Sequence, residues 1–340
     1  MGNLQESTSM GDNAHNLSEK LTEILQSTLG EIEVTGLARL SGGANRETWS
    51  FAAENSNNQT LDLILQMDRP GMERLEGTCA REAKIITIAK KNGVPVPNVI
   101  LSGHSENFNG RSFSITSKIP GETIARKILR DDEWGVARQN FITDSAKALA
   151  AIHSIQKTEL TDIDLQRTDD ALDTLRLVYE ALQDPHPTFD LAFRWLEKNR
   201  PPPTGITFVH GDYRLGNLLF GEKGLNAVLD WEIAHLGDPC EDLGWMCVRA
   251  WRFGGSGKVA GISDYTSLLD NYEIESGRRI SIATLQWWEI FGTLRWGIIC
   301  LQMGGDFRSG RTNSLEIAAI GRRVAENEYD LLTTLEEQKL

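Results

Sequence analysis

Residues 208–217 read FVHGDYRLGN, and this stretch decides the fold. The apolar residues at the start of this stretch predict a short strand over 207–210. A hairpin is predicted next, with strands over 217–220 and 226–229 around the turn GEKG at 221–224. Asp230 ends the second hairpin strand, thirteen residues after Asn217. The pattern therefore sets two carboxylates and one amide at the ends of neighbouring short strands.

The residue types in this stretch suit phosphoryl transfer. The reaction needs one carboxylate that orients the attacking hydroxyl and accepts its proton, and oxygen ligands that hold magnesium on the phosphates. Asp212, Asn217 and Asp230 supply this set, and Asn217 follows Asp212 at the spacing of a kinase catalytic loop. The alternative is that Asp212 and Asp230 are turn residues and Asn217 is a cap, since turns favour Asp and Asn.

The pattern along the chain predicts two lobes. We expect a disordered tail over residues 1–16, an N-lobe over 17–117 that binds the nucleotide, and a C-lobe over 118–340 that carries catalysis and the acceptor. The N-lobe begins with a helix over 17–29 and then alternates short strands, with one helix over 79–91. After Pro120-Gly121 the chain becomes largely helical. The fold class is therefore α+β, with an antiparallel sheet in the first lobe.

Composition restricts the partners and the compartment. The net charge of −13 argues against nucleic acid, because phosphate backbones require a basic surface. The polar N-terminus predicts no signal peptide, and no stretch approaches the ~20 apolar residues that span a membrane. None of the four cysteines lies in a C-x-x-C pair, so we expect buried, reduced thiols and a cytoplasmic protein.

Three segments together carry a resemblance to a known family. They are HGD…N at 210–217, DWE at 230–232 and GDP…DL at 237–243. In these segments the chain resembles the aminoglycoside phosphotransferase superfamily, and is most similar to the branch associated with acyl-CoA dehydrogenases. The resemblance covers residues 37–303 and implies a bilobal protein-kinase-like fold. It also implies Asp212 as the catalytic base, Asn217 and Asp230 as magnesium ligands, and Asp242 as a carboxylate that anchors the catalytic loop.

The resemblance assigns the nucleotide side to the first lobe. The turn Ser41, Gly42, Gly43, Ala44 and Asn45 stands where kinases place a glycine-rich loop, although a plain hairpin turn would read the same. The resemblance implies that Glu82 pairs with a basic residue of the third strand, but that strand offers the neutral Gln66. Arg69 is the nearest cation that could replace it. Adenine would be bound through the backbone of the segment that contains Ser117 and Ile119.

These observations predict an enzyme that transfers phosphate from ATP, with Mg²⁺, to a hydroxyl of a small molecule. The resemblance makes a hydroxyacyl-CoA-type acceptor the leading hypothesis. Two alternatives remain: a weakly active pseudokinase that binds nucleotide, which Gln66 favours, and an aminoglycoside O-phosphotransferase, whose cationic substrate would suit an acidic protein.

Overall fold

The computed structural model describes residues 3–40, 46–69 and 78–338, with side chains described from Asn16 onward. The chain divides into two compact units. The first contains the described residues up to Lys91 together with Val96–Pro120, and the second contains Asn92–Pro95 and the residues from Gly121 onward. From Gly121 onward the chain stays in the second unit.

The first unit is built on a five-stranded antiparallel sheet in the order β1-β2-β3-β5-β4. Its elements are α1 (Asn3–Leu29), β1 (Ile32–Leu40), β2 (Arg46–Asn55), β3 (Thr60–Asp68), α2 (Cys79–Lys91), β4 (Val99–His104) and β5 (Ser112–Ser117). The antiparallel sheet and its helix α2 confirm the fold predicted for this part of the chain.

The two faces of the sheet differ because side chains alternate along each strand. Leu63, Leu65 and Met67 of β3 point into the apolar core, where Leu21 and Leu25 of α1 cover them. Gln66 therefore lies on the opposite face. There it is paired in register with Thr48 of β2 and Ser114 of β5.

Helix α1 begins earlier than the sequence predicted. The prediction placed a disordered tail over residues 1–16 and a helix from Leu17, whereas α1 already starts at Asn3. Residues 3–16 contain one glycine and no proline, so nothing in this stretch stops a helix that has formed further along the chain.

The second unit is mainly helical, as predicted. Its helices are α3 (Ala125–Arg130), α4 (Gly135–Ser154), α5 (Ala171–Leu182), α6 (Pro187–Lys198), α7 (Cys240–Cys247), α8 (Tyr265–Ser276), α9 (Ile282–Arg308), α10 (Leu315–Gly321) and α11 (Val324–Glu337). Its strands form two small antiparallel pairs: β6 (Thr207–Val209) with β9 (His235–Gly237), and β7 (Leu218–Gly221) with β8 (Gly224–Val228). The sequence predicted β6, β7 and β8 but not β9.

Helices α7 and α9 both contact the loop over residues 210–217. They approach closely at Gly244, where a Cβ atom would stand 2.5 Å from Cβ of Trp288. Every residue of α7 is buried, including Glu241 and Asp242. Buried charges need partners, so these two carboxylates must be stabilised by hydrogen bonds or ion pairs within the second unit.

Two further predictions from composition concern cysteines and membranes. Cys79, Cys240, Cys247 and Cys300 are buried thiols without a disulfide, as expected. Among the described residues, the helices are too short or too polar to cross a lipid bilayer.

Candidate active site

The loop that carries Asp212 starts at the end of β6 and leads into β7. Its sharp turn depends on Gly211, whose φ is +81°. A Cβ atom at Gly211 would lie 2.8 Å from the Ile233 carbonyl oxygen, so a larger residue would displace the following loop. Glycine is therefore required here by both backbone conformation and space.

Asp242 anchors this loop from α7. Its Oδ2 accepts a hydrogen bond from the His210 amide and its Oδ1 one from the Gly211 amide, each at 2.8 Å. His153 Nε2 lies 3.1 Å from Oδ2, and the Tyr272 hydroxyl lies 2.7 Å from His153 Nδ1. Burial alone would raise the pKa of Asp242, but the hydrogen bond and charge of His153 hold that pKa below its usual value. The predicted anchoring role of Asp242 is confirmed.

His210 is a structural residue of the loop. Burial lowers its pKa, so the ring is neutral near pH 7. Its Nε2 donates to the Leu229 carbonyl over 3.0 Å, and its Nδ1 accepts from the Asp212 amide over 3.2 Å. The ring thereby ties the loop to the residue that precedes Asp230.

Asp212 is held by three side-chain donors. Trp245 Nε1 donates to Oδ1 over 2.6 Å, Asn217 Nδ2 donates to Oδ2 over 2.6 Å, and Arg214 Nε approaches both oxygens at 3.0 and 3.2 Å. The carboxylate is 16% exposed, which leaves it open to a partner from solvent. It is thus fixed in orientation but still accessible, as a group that receives a proton must be.

Asn217 and Asp230 are brought together by the backbone. The Leu229 amide donates to the Asn217 carbonyl over 2.9 Å, so the residue before Asp230 is bonded to Asn217. Asp230 adopts a left-handed conformation with φ of +64°, which Asp tolerates better than most residues. Asn217 uses its Nδ2 for Asp212, so its Oδ1 remains available as an oxygen ligand. A carboxylate and an amide oxygen are the hard donors that Mg²⁺ prefers.

A second set of charged side chains also contacts this loop. Arg295 of α9 donates to the Gly211 carbonyl over 3.2 Å and to Glu241 Oε1 over 2.9 Å. His235 Nε2 lies 3.2 Å from Glu241 Oε2, and its Nδ1 lies 2.9 Å from the Ile233 carbonyl. Both ring nitrogens thus face acceptors, which favours the imidazolium form. Burial alone would lower the pKa of His235, but the charge of Glu241 raises that pKa above its usual value.

The partner of Glu82 in the first unit is Arg46. Arg46 is the first residue of β2 and forms a buried ion pair with Glu82 of α2. It lies on the same face of the sheet as Gln66, because it is two residues before Thr48, the neighbour of Gln66 in register. Arg69, the substitute proposed from the sequence, is an exposed residue just after β3. Arg46 therefore supplies a cation beside Glu82.

The remaining predicted nucleotide residues lie around β5 or outside the described residues. The amides of Ser117 and Lys118 donate to the carbonyls of Asn98 and Asp62, over 2.8 Å each, so the sheet already uses them. Among the described residues, no backbone carbonyl accepts a hydrogen bond from the Ile119 amide. The turn Ser41–Asn45, predicted to contact phosphate, lies outside the described residues.

Sequence reasoning missed the roles of three side chains. Trp245 lies three residues after Asp242 on α7, so the helical period that makes Asp242 an anchor also directs Trp245 to the same loop. Arg214 lies within the loop itself and contacts Asp212. The role of Arg46 could have been identified from one feature, which is its position on the face of β2 that neighbours Gln66.

The chain matches the phosphotransferase enzyme family over residues 36–275. Curated relatives include mouse acyl-CoA dehydrogenase family member 10, 31% identical over 175 residues, and Arabidopsis probable acyl-CoA dehydrogenase IBR3, 26% identical over 226 residues. These matches cover 49% and 61% of the chain but only 16% and 27% of the relatives. The chain thus spans about a quarter or less of the length of these relatives.

Solved structures share the fold along nearly the whole chain. A Ralstonia eutropha protein assigned as an aminoglycoside phosphotransferase superimposes with a TM-score of 0.71 at 22% identity, covering 94% of this chain and 98% of that one. The GDP complex of aminoglycoside 2'-phosphotransferase-IIIa gives 0.63 at 13% identity, covering 92% and 99%. The protein-kinase-like fold and the resemblance stated from the sequence are confirmed, and the chain belongs to the phosphotransferase enzyme family.

Proposed function

We propose that this protein transfers the γ-phosphate of ATP to a hydroxyl group of a small molecule in the cytoplasm, with Asp212 as the catalytic base. The observation that carries the proposal is the fixed but accessible Asp212 carboxylate, which three donors orient. A turn residue would need none of these contacts. In phosphoryl transfer, positioning and electrostatics supply most of the catalysis, so a rigid carboxylate beside a cation site is what the reaction requires.

Asn217 Oδ1 and the Asp230 carboxylate would hold Mg²⁺, which neutralises phosphate charge when it is bound. The chain's own residues provide the rest. Asp212 orients the acceptor hydroxyl and takes its proton as the new bond to phosphorus forms. Asp242 keeps the loop in place through the His210 and Gly211 amides, so the carboxylate does not have to be reordered at each turnover.

On the nucleotide side, we propose that Arg46 takes the part that a strand lysine takes in kinases. Its ion pair with Glu82 holds the guanidinium on the face of the sheet that carries Gln66. Gln66 would add a neutral hydrogen-bond donor to the phosphates. The Ile119 amide would bind adenine, since the sheet uses the amides of Ser117 and Lys118, and Ser41–Asn45 would cover the phosphates.

For the acceptor, we propose an anionic metabolite of the hydroxyacyl-CoA type. Two cations surround Asp212 and its loop: Arg214 contacts the carboxylate and lies 4.7 Å from the centre of the Trp251 ring, and Arg295 contacts Gly211. Guanidinium groups repel a polycationic aminoglycoside and attract carboxylate or phosphate groups of an acceptor. The relatives named as acyl-CoA dehydrogenase family members point in the same direction.

The test is a phosphotransfer assay with ATP and Mg²⁺ over a panel of hydroxyacyl-CoA thioesters, aminoglycosides and amino alcohols. We expect turnover with the first class, and loss of that turnover in Asp212→Asn. Turnover with aminoglycosides alone would replace the acceptor proposed here. Nucleotide binding without turnover on any acceptor would favour the pseudokinase alternative.

A further inference from the structure

A cavity of about 430 Å³ lies in the first unit, on the face of the sheet that α1 covers. Its walls include Trp49 of β2, Met67 of β3 and Phe108, which give it an apolar floor. The volume is within the range of small-molecule sites in proteins, roughly 300–1,000 Å³. The cavity is therefore large enough for a metabolite of moderate size.

Cations dominate the rim of this cavity. Lys20, Arg39 and Arg111 line it together with one carboxylate, Glu47. Arg111 is paired with Glu47 at 3.2 Å, and the Arg39 guanidinium lies 6.0 Å from the centre of the Trp49 ring. Lys20 and Arg39 have no carboxylate partner among the side chains that the structure describes. Two cations without a carboxylate partner therefore line the same cavity in a protein whose net charge is −13.

This cavity is separate from the proposed nucleotide residues. Side chains alternate along a strand, so Trp49 and Met67 point to one face of the sheet and Thr48 and Gln66 to the other. Arg46 and Glu82 belong to the side of Gln66. A molecule in the cavity would thus be neither the phosphate donor nor its adenine.

We propose that this cavity binds a small organic anion, with an apolar body on Trp49 and Met67 and an anionic head between Lys20 and Arg39. Either part alone is a weak ligand here. The head neutralises two like charges that otherwise repel each other, and the apolar body removes the exposed part of the Trp49 ring from water.

The probe for the test is sodium octanoate, titrated into the 340-residue chain by isothermal calorimetry. We expect saturable binding of one octanoate per chain. Inorganic phosphate and 1-octanol should each bind at least roughly tenfold more weakly, because each lacks one of the two parts and a charged contact is worth a factor of about ten or more.

The variant that tests the site is the double change Lys20→Gln and Arg39→Gln. We expect it to weaken octanoate binding by at least about tenfold, while leaving nucleotide binding unchanged. The matched control is Arg126→Gln with Lys223→Gln, which removes the same charge from exposed positions in the second unit. It should leave octanoate binding as in wild type.

Three results would overturn the proposal. They are equal weakening in the variant and its control, equal binding of phosphate or octanol, and displacement of octanoate by ATP. The last would locate the probe among the nucleotide residues. Because the experiment measures binding and not phosphate transfer, its failure leaves the proposed function untouched, and loss of phosphotransfer would not affect this site.

Discussion

Removing the Arg46 guanidinium should destabilise the first unit strongly. Arg46 and Glu82 form an ion pair in which the two side chains are only 8% and 4% exposed. Asp68, which is also buried, is the neighbour of Arg46 in register, and its Oδ2 has no hydrogen-bond partner among the described residues. Arg46→Met would therefore remove the guanidinium that pairs with the buried Glu82 carboxylate.

The expected cost follows from that burial. Breaking a buried ion pair by removing one partner typically costs about 3–5 kcal/mol of unfolding free energy, because the remaining charge stays desolvated. Replacing both partners by neutral groups costs much less. Arg46→Met with Glu82→Gln should therefore recover most of the loss, which gives a coupling energy of roughly 2 kcal/mol or more in the double-mutant cycle.

Urea unfolding of the four proteins, followed by tryptophan fluorescence, measures this cycle. Nucleotide affinity measured on the same proteins separates structure from binding. If Arg46 also contacts phosphate, the double variant regains stability but not nucleotide affinity, whereas Arg46→Lys keeps part of both. A loss below about 1 kcal/mol for Arg46→Met would refute the reasoning, since that is the size of an exposed pair.

Four other changes test the second unit and the strand position. Asp212→Asn should lower kcat by about 10²–10⁴-fold with nucleotide affinity retained, and near-normal turnover in a coupled assay would show that it is not the base. Asp230→Asn removes the charge but keeps a residue type that accepts a φ of +64°. Calorimetry with and without Mg²⁺ should therefore show a smaller effect of magnesium on ATP binding, and an unchanged effect would exclude Asp230 as a magnesium ligand. Because Arg46 already supplies a cation, Gln66→Lys should leave ATP binding nearly unchanged, and a tightening of about tenfold would show that the site lacks charge. The raised pKa of His235 means that its ion pair with Glu241 contributes stability fully below the ordinary value of 6.5 and loses it as pH rises through the raised pKa. The stability difference between wild type and His235→Asn should therefore shrink over that rise, and a constant difference would count against an imidazolium.

Local patterns predicted much of the second unit's active loop and several whole elements. The bounds predicted for α2 are those observed, since this helix has a clear apolar period and recognisable ends. The anchoring role of Asp242 was implied by the family resemblance and not by a local pattern. For a helix such as α2, the physical cause lies within one window of sequence.

Contacts between distant segments could not be predicted in the same way. Strand β9 has three residues and is defined by its pairing with β6, not by its own composition. Trp245 could be placed on a helix, but its hydrogen bond to Asp212 depends on how α7 lies under the loop. The pair formed by Arg46 and Glu82 joins residues 36 positions apart, across segments whose relative placement no local period determines.

The position of Arg46 bears on how a missing motif residue should be interpreted. The site beside Glu82 requires a positive charge, and any cationic side chain that reaches that site can supply the charge. Neighbouring antiparallel strands lie about 4.8 Å apart, so positions on one face of β2 and β3 are within reach of a long side chain from either strand. Glu82 is buried and needs a positive partner, which Gln66 cannot be and Arg46 is. Gln66 is consequently weak evidence for an inactive relative, because the charge that its strand lacks is present on the next one.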